Sequence, residues 1–293
     1  MLLLFACGTA PRSAPPPYAI RAPMDAPRLF AAASSPDPEF AFTFDAATGT
    51  AYFDRMTADR SALAIQQLRW DGAAWSPAEI APWSGTYRDI DPFVTPDGRR
   101  LYFSSNRPLE GTEPRGDFDL WYLERTATGW AAPRHVDAPL NDERSIGFVS
   151  AARDGTIYFD AHRDGVRELY QARAVGDGFA APTVLGLPPA PGLERSNPLI
   201  APDASFLIFV EDTLDHRGGA DLRVTRRQAD GSWGPSAPLV GGVNSPQSEF
   251  APGLSPDGRY LFFTSERPGV VAAPASGRPP SDLYQIDLRA ALP

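Results

Sequence analysis

The apolar positions of this chain come in short bursts separated by polar turns, and the bursts repeat. A doublet of large apolar residues recurs in Ala51-Tyr52-Phe53, Leu101-Tyr102-Phe103, Ile157-Tyr158-Phe159, Leu207-Ile208-Phe209 and Leu261-Phe262-Phe263, the final phenylalanines lying 50, 56, 50 and 54 residues apart. A turn precedes each doublet: Thr48-Gly49, Pro96-Asp97-Gly98, Asp154-Gly155, Pro202-Asp203-Ala204 and Pro256-Asp257-Gly258. Proline presets one turn dihedral and glycine accepts positive φ, so these sites predict tight hairpins. Four of the five doublets are followed by an arginine (Arg55, Arg107, Arg163, Arg267). An alternating segment opened by an acid comes next, as in Asp119-Leu120-Trp121-Tyr122, Glu168-Leu169-Tyr170, Asp221-Leu222-Arg223 and Asp282-Leu283-Tyr284. An aromatic residue and a proline then introduce a fourth segment, at Trp75-Ser76-Pro77, Trp130 to Pro133, Phe179 to Pro182 and Trp233-Gly234-Pro235. Each unit therefore predicts four short strands. One such sheet leaves apolar surface bare, and stacking the sheets radially covers it, which predicts an all-β chain folded as a β-propeller.

Five units are visible, and the fifth stops short, because the chain ends at Pro293 without an aromatic-proline fourth strand. The missing piece is at the other end. Ala26-Pro27-Arg28-Leu29-Phe30 matches Ala132-Pro133-Arg134-His135-Val136, and Pro27 precedes Phe42 by the same interval as Pro133 precedes Phe148. Residues 27–33 are thus predicted to add the outer strand of the last blade and close a five-bladed ring.

Composition narrows the chemistry. The chain has 293 residues, 32 Pro and 25 Gly, consistent with frequent turns rather than long helices. The net charge of −9 disfavours nucleic acid as a partner. All 27 basic residues are arginine, which excludes Schiff-base catalysis and a lysine phosphate loop. The single cysteine, Cys7, excludes an internal disulfide and a cysteine-based zinc site. His135, His162 and His216 fall in different units and predict neither a metal site nor a catalytic triad. No cofactor is expected. No apolar run is long enough to span a membrane as a helix.

The segment Asp91 to Pro108 followed by Asp119-Leu120-Trp121, and its repeat Ser255 to Arg267, resemble the TolB-like, WD-repeat-like propeller repeat. The resemblance covers residues 27–289 and implies envelope proteins, often lipoproteins, that bind partners on one face of the disc. Similar repeats precede the catalytic domain of prolyl oligopeptidase-type enzymes, but no Gly-x-Ser-x-Gly elbow occurs here. The opening Leu4-Phe5-Ala6-Cys7 resembles the end of a bacterial lipoprotein signal, which implies lipidation of Cys7. The organisation expected is a signal remnant over 1–7, a proline-rich tether over 8–24 and one propeller over 25–293. The protein would be a lipid-anchored monomer of the periplasm or outer membrane.

The candidate site is the charged cluster that precedes or opens each first strand: Glu39; Asp89 and Asp91; Glu143 and Arg144; Glu194, Arg195 and Asn197; and Glu249. The passage from one blade's fourth strand to the next blade's first strand places these groups around one mouth of the central channel. They suit a polar pocket for a protein, peptide or glycan partner, or a girdle of salt bridges between neighbouring blades. The alternative function is a glycoside hydrolase using two of these carboxylates as acid and nucleophile or base. Arg107 and Arg267 are expected to pair with Asp119 and Asp282 inside their own blades, and Trp75, Trp130 and Trp233 to fill between blades. Pro268 to Pro280 reads as a long Ala/Pro/Gly loop.

Overall fold

A computed structural model describes residues 23–142, 145–163, 166–213, 219–268 and 280–293. Cys7, nearly all of the proposed tether, Glu143, Arg144, His216 and most of the 268–280 loop lie outside the described residues.

Five antiparallel blades of four successive strands form the molecule, with a short extra strand, Gly129–Trp130, on the third strand of blade 2 and a two-stranded hairpin, Ala174–Val175 with Gly178–Phe179, after the third strand of blade 3. Their first strands are Glu39–Asp45, Asp89–Val94, Ile146–Ala151, Leu193–Ile200 and Glu249–Leu254; the second strands are Thr50–Met56, Arg100–Ser105, Ile157–Arg163, Phe206–Thr213 and Tyr260–Ser265. The third strands are Leu63–Arg69, Asp119–Thr126, Val166–Ala172, Asp221–Arg226 and Asp282–Asp287. The first strands adjoin one another in a closed cycle, so they line the axis.

The fourth strands are two-residue edges: Glu79–Ile80, Arg134–His135, Thr183–Val184, Ala237–Pro238 and, for the fifth blade, Arg28–Leu29. Such short outer edges offer little template for pairing with another chain. The predicted closure is present: Arg28 stands opposite Gln285 and Leu29 opposite Tyr284, and Phe30 N–H continues the ladder to the Leu283 carbonyl at 2.7 Å. Further out, the Asp287 N–H binds the Met24 carbonyl at 3.0 Å, while Met24 N–H binds the Asp287 carboxylate at 3.1 Å.

The doublets are explained by where the core lies. Successive side chains on a strand point to opposite faces, and both faces of every blade are buried. The first aromatic of each doublet in blades 1 to 3 faces the following blade and the second faces the preceding one. Tyr52 packs in the seam with blade 2, and Phe53 in the seam with blade 5. Tyr102 packs against blade 3, and Phe103 against blade 1. Five apolar clusters result, one per seam. Trp75 and Trp130 border such seams and Trp233 is buried in one, as expected.

The turns also follow from their sequence. Asp97 and Asp257 accept hydrogen bonds from Thr95 and Ser255 hydroxyls and from the N–H groups of Arg99 and Arg259. Gly98 and Gly258 take the left-handed conformation that the turn requires (φ 69° and 67°).

Candidate functional site

Each first strand runs from the mouth where blades cross over to the mouth where first and second strands turn. Of the predicted acids, Glu39, Asp89 and Glu249 occupy equivalent places at the crossover end, where they are buried in clamps within their own blades. Glu39, Asp89 and Glu249 are fully buried. Each is held by an arginine of its own blade: Arg55 to Glu39 at 2.9 Å, Arg107 to Asp89 at 2.7 Å and Arg267 to Glu249 at 3.3 Å. Serines complete each clamp. Ser35 binds Glu39, Ser84 and Ser105 bind Asp89 at 2.8 and 2.6 Å, and Ser245 and Ser265 both bind Glu249 at 2.6 Å. The expected pairing of Arg107 and Arg267 with Asp119 and Asp282 is thereby corrected. Asp119 instead bonds Arg115 and His135, and Asp282 accepts from Ser34 at 2.6 Å. An acid opening the first strand lies directly opposite the end of the second strand across a hairpin, within reach of the arginine there.

Blade 4 builds the same clamp with the charges exchanged. Arg195 stands where the others have an acid, and Glu211 on the second strand binds it at 3.2 Å and Arg223 at 2.9 Å. Glu194, half-buried, stands opposite Asp212 in the ladder. An inter-blade ion pair does occur at the other end of the channel, between Arg125 and Asp45 at 2.7 Å. The serine that repeats four or five residues before the acid (Ser35, Ser84, Ser245) was the sequence signal for a structural clamp.

Two residues further along, every first strand breaks register. Ala41, Asp91, Asn197 and Ala251 take positive φ there (50°, 57°, 47° and 46°). Such bulges free backbone groups from the ladder, and a side chain on a neighbouring blade satisfies them. Asp54 of blade 1 accepts Asp91 N–H at 2.8 Å, Ser104 of blade 2 donates to the Gly147 carbonyl at 2.9 Å, and Asp160 of blade 3 accepts Asn197 N–H at 3.2 Å. Asn197 accepts Ala251 N–H at 3.1 Å, and Thr264 accepts Ala41 N–H at 3.3 Å. Five seams are thus clasped around the axis. Except in blade 4, whose Val210 is apolar, the clasping residue directly follows the aromatic doublet. Asp54, Ser104, Asp160 and Thr264 were legible as a repeated position but were not among the predicted site residues.

Here the electrostatics are unusual. Burial pushes the Asp91 carboxyl up to about 7, with the Asp160 charge adding to the shift and Arg167 opposing it. Burial and then the neighbouring Asp91 charge push Asp54 well above the ordinary carboxylate range. Burial raises Asp160 too, against the opposing pull of Arg167, whose guanidinium lies 3.5 Å away. Gly147 makes room for that carboxylate, since a β-carbon there would sit 2.6 Å from Asp160 Oδ2. Asp91 alone of the three remains partly exposed.

A cavity of about 270 Å³ opens at the opposite, turn-lined mouth, with walls from all five blades. Phe93, Phe148, Leu199, Pro252 and Leu254 give it an apolar body, and the exposed Arg153 stands on its border. None of the predicted site residues lines it. Its size admits one or two side chains rather than a large ligand. Among the described residues no group of three or more His, Cys, Asp or Glu could hold a metal ion, and no helix is long and apolar enough to cross a membrane.

No protein-family model and no curated protein sequence matches the chain. Solved structures do. An α-L-arabinofuranosidase from Lactobacillus brevis is 14% identical with a TM-score of 0.51, over 84% of this chain and 90% of that one. A gluconolactonase from Xanthomonas campestris is 12% identical with a TM-score of 0.49, over 86% of each chain. A prolyl endopeptidase structure is 15% identical with a TM-score of 0.40, over 84% of this chain but only 33% of that one. The chain therefore spans about a third of the peptidase's length. At such identity the likeness to the arabinofuranosidase is one of fold alone.

Proposed function

We propose that this protein is a non-enzymatic binding propeller of the bacterial envelope, of the type its repeat resembles, and that it seats an apolar segment of a partner protein or peptide in the turn-mouth cavity. One observation carries the reading. The buried carboxylates that chemistry would need at the crossover mouth are engaged in clamps, whereas the open concavity on the axis has an apolar body of Phe93, Phe148, Leu199 and Leu254 inside a polar rim. The Leu4-Phe5-Ala6-Cys7 run supports attachment through Cys7, which membrane fractionation of a Cys7→Ser variant tests.

The reading is tested by screening peptides with apolar side chains by thermal shift and calorimetry. Ala46→Trp fills the cavity's exposed lip without touching the core. Binding to the wild type that is lost in this variant is the expected result; binding that survives it refutes the location.

A second reading is hydrolytic, and Asp91 favours it. This carboxyl is partly exposed, titrates near neutrality and neighbours two other carboxyls, as a general acid requires. Turnover of aryl glycosides or esters that disappears in Asp91→Asn, with peptide binding absent, would replace the binding reading by this one.

A further inference from the structure

We propose that Asp54 and Asp91 hold a single proton between them, so that the seam between blades 1 and 2 is a proton-controlled latch. The inference does not depend on what the cavity binds. Asp54 is fully buried, and its Oδ2 accepts the Asp91 N–H across the seam at 2.8 Å. Its Oδ1 is also buried and has no hydrogen-bond partner among the described residues. An ionised carboxylate with one bare, buried oxygen is costly. Protonation of Oδ1 removes that cost, and the Asp91 carboxylate, which acts on Asp54 as a neighbouring like charge, is the group proposed to share the proton, with one negative charge kept.

The surrounding charges point the same way. Asp91 and Asp89 both act on Asp54 with the same sign. On its own blade, Glu39 of the adjacent first strand is bound to Arg55, and Asp54 stands opposite the apolar Ile65 of the third strand. Arg107 is committed to Asp89. From blade 3, Asp160 and Arg167 face Asp91, with His162 beside them. Asp160, the equivalent residue two blades on, has Arg167 as counter-ion. Among the described residues, the charges that act on Asp54 are those of acids, Asp91 and Asp89. Asp91 holds its position in a left-handed conformation (φ 57°) immediately before Pro92 and Phe93, which line the cavity.

The sign of the effect follows. Two carboxyls that keep a proton in the folded ring and lose it when unfolded make the fold bind more protons than the open chain. Stability therefore falls as pH rises from the ordinary carboxylate range to the raised folded values.

The test uses the full chain. Thermal midpoints are compared between pH 5 and pH 8 for the wild type, Asp54→Asn, Asp91→Asn and Asp160→Asn. Asparagine at 54 still accepts the Asp91 N–H and can donate in place of the shared proton. At 91 it is a residue that tolerates left-handed backbone, and it leaves the bond to the backbone N–H intact. The wild-type midpoint should drop across this range, and the drop should be smaller in both the Asp54 and the Asp91 variants; Glu39 contributes the same amount to all of them and cancels in the difference from the wild type. Infrared spectra at pH 8 should show a protonated-carboxyl band in the wild type whose intensity falls in Asp54→Asn. Should Asp54→Asn fail to fold, Asp91→Asn reads the same quantity. An unchanged slope in Asp91→Asn, or a slope that only Asp160→Asn reduces, overturns the proposal.

Discussion

Ring closure is the feature on which every other contact depends, and Phe30→Ala tests it at one side chain. Phe30 is 5% exposed and meets Phe42, Trp75 and Phe262 edge-on at centroid distances of 5.2, 5.7 and 5.7 Å. Phe42 and Phe262 belong to blades 1 and 5, so this ring joins the first and last blades. The substitution keeps the backbone bond from residue 30 to Leu283, and what is lost is packing alone. Truncating a buried phenylalanine to alanine costs about 3–5 kcal/mol. Against a whole-domain stability of roughly 5–15 kcal/mol, that is a large share for one residue. The assay is urea unfolding followed by tryptophan fluorescence, for which Trp75 is a local reporter and the other tryptophans report on the rest of the ring. If the blades unfold as one cooperative unit, all of them should report the same lowered midpoint. Leu109→Ala, at a site 57% exposed, serves as the control and should change stability by less than about 0.5 kcal/mol. A loss below about 1 kcal/mol for Phe30→Ala would refute the view that the strap seals the ring.

Two further outcomes follow from the clamps. Arg107→Met should destabilise by about 3–5 kcal/mol in denaturant titration, because it strands the fully buried Asp89 without its counter-ion; combining it with Asp89→Asn should recover part of the loss. Burial outweighs Arg55 and Ser35 at Glu39 and lifts its carboxyl from 4.5 to about 7. Below pH 4.5 both folded and unfolded states hold the proton, between there and 7 only the folded state does, and above 7 neither does. Glu39 thus removes stability as pH rises through that window, by about 3 kcal/mol in total. Unfolding free energies of Glu39→Gln measured at pH 5 and pH 8 should lack that share of the wild-type decline, and an unaltered decline would show that Glu39 is ionised in the fold throughout.

The architecture was legible because a propeller writes its geometry into the chain at every turn. Doublets such as Tyr102-Phe103 are required wherever a strand must bury both faces, and Pro-Asp-Gly turns are required wherever a hairpin must reverse in few residues. Even the closure could be read, since residues 26–30 repeat a fourth-strand pattern that the fifth unit lacks.

The chemistry of the charged residues was not legible in the same way. Sequence order placed Glu39, Asp89 and Glu249 at the channel mouth, and they are there; it could not say that hairpin pairing brings Arg55, Arg107 and Arg267 of the same blade onto them and withdraws them from solvent. Nor could it distinguish Asp54 from Asp160, which follow identical aromatic doublets. Asp160 has an arginine from the third strand of its own blade in reach, whereas Asp54 faces acids that the neighbouring blade brings to the axis. Periodicity and turn chemistry are local properties and survive in a linear reading. Burial, counter-ions and proton affinity depend on which distant segments the closed ring brings together, and only the folded chain determines them.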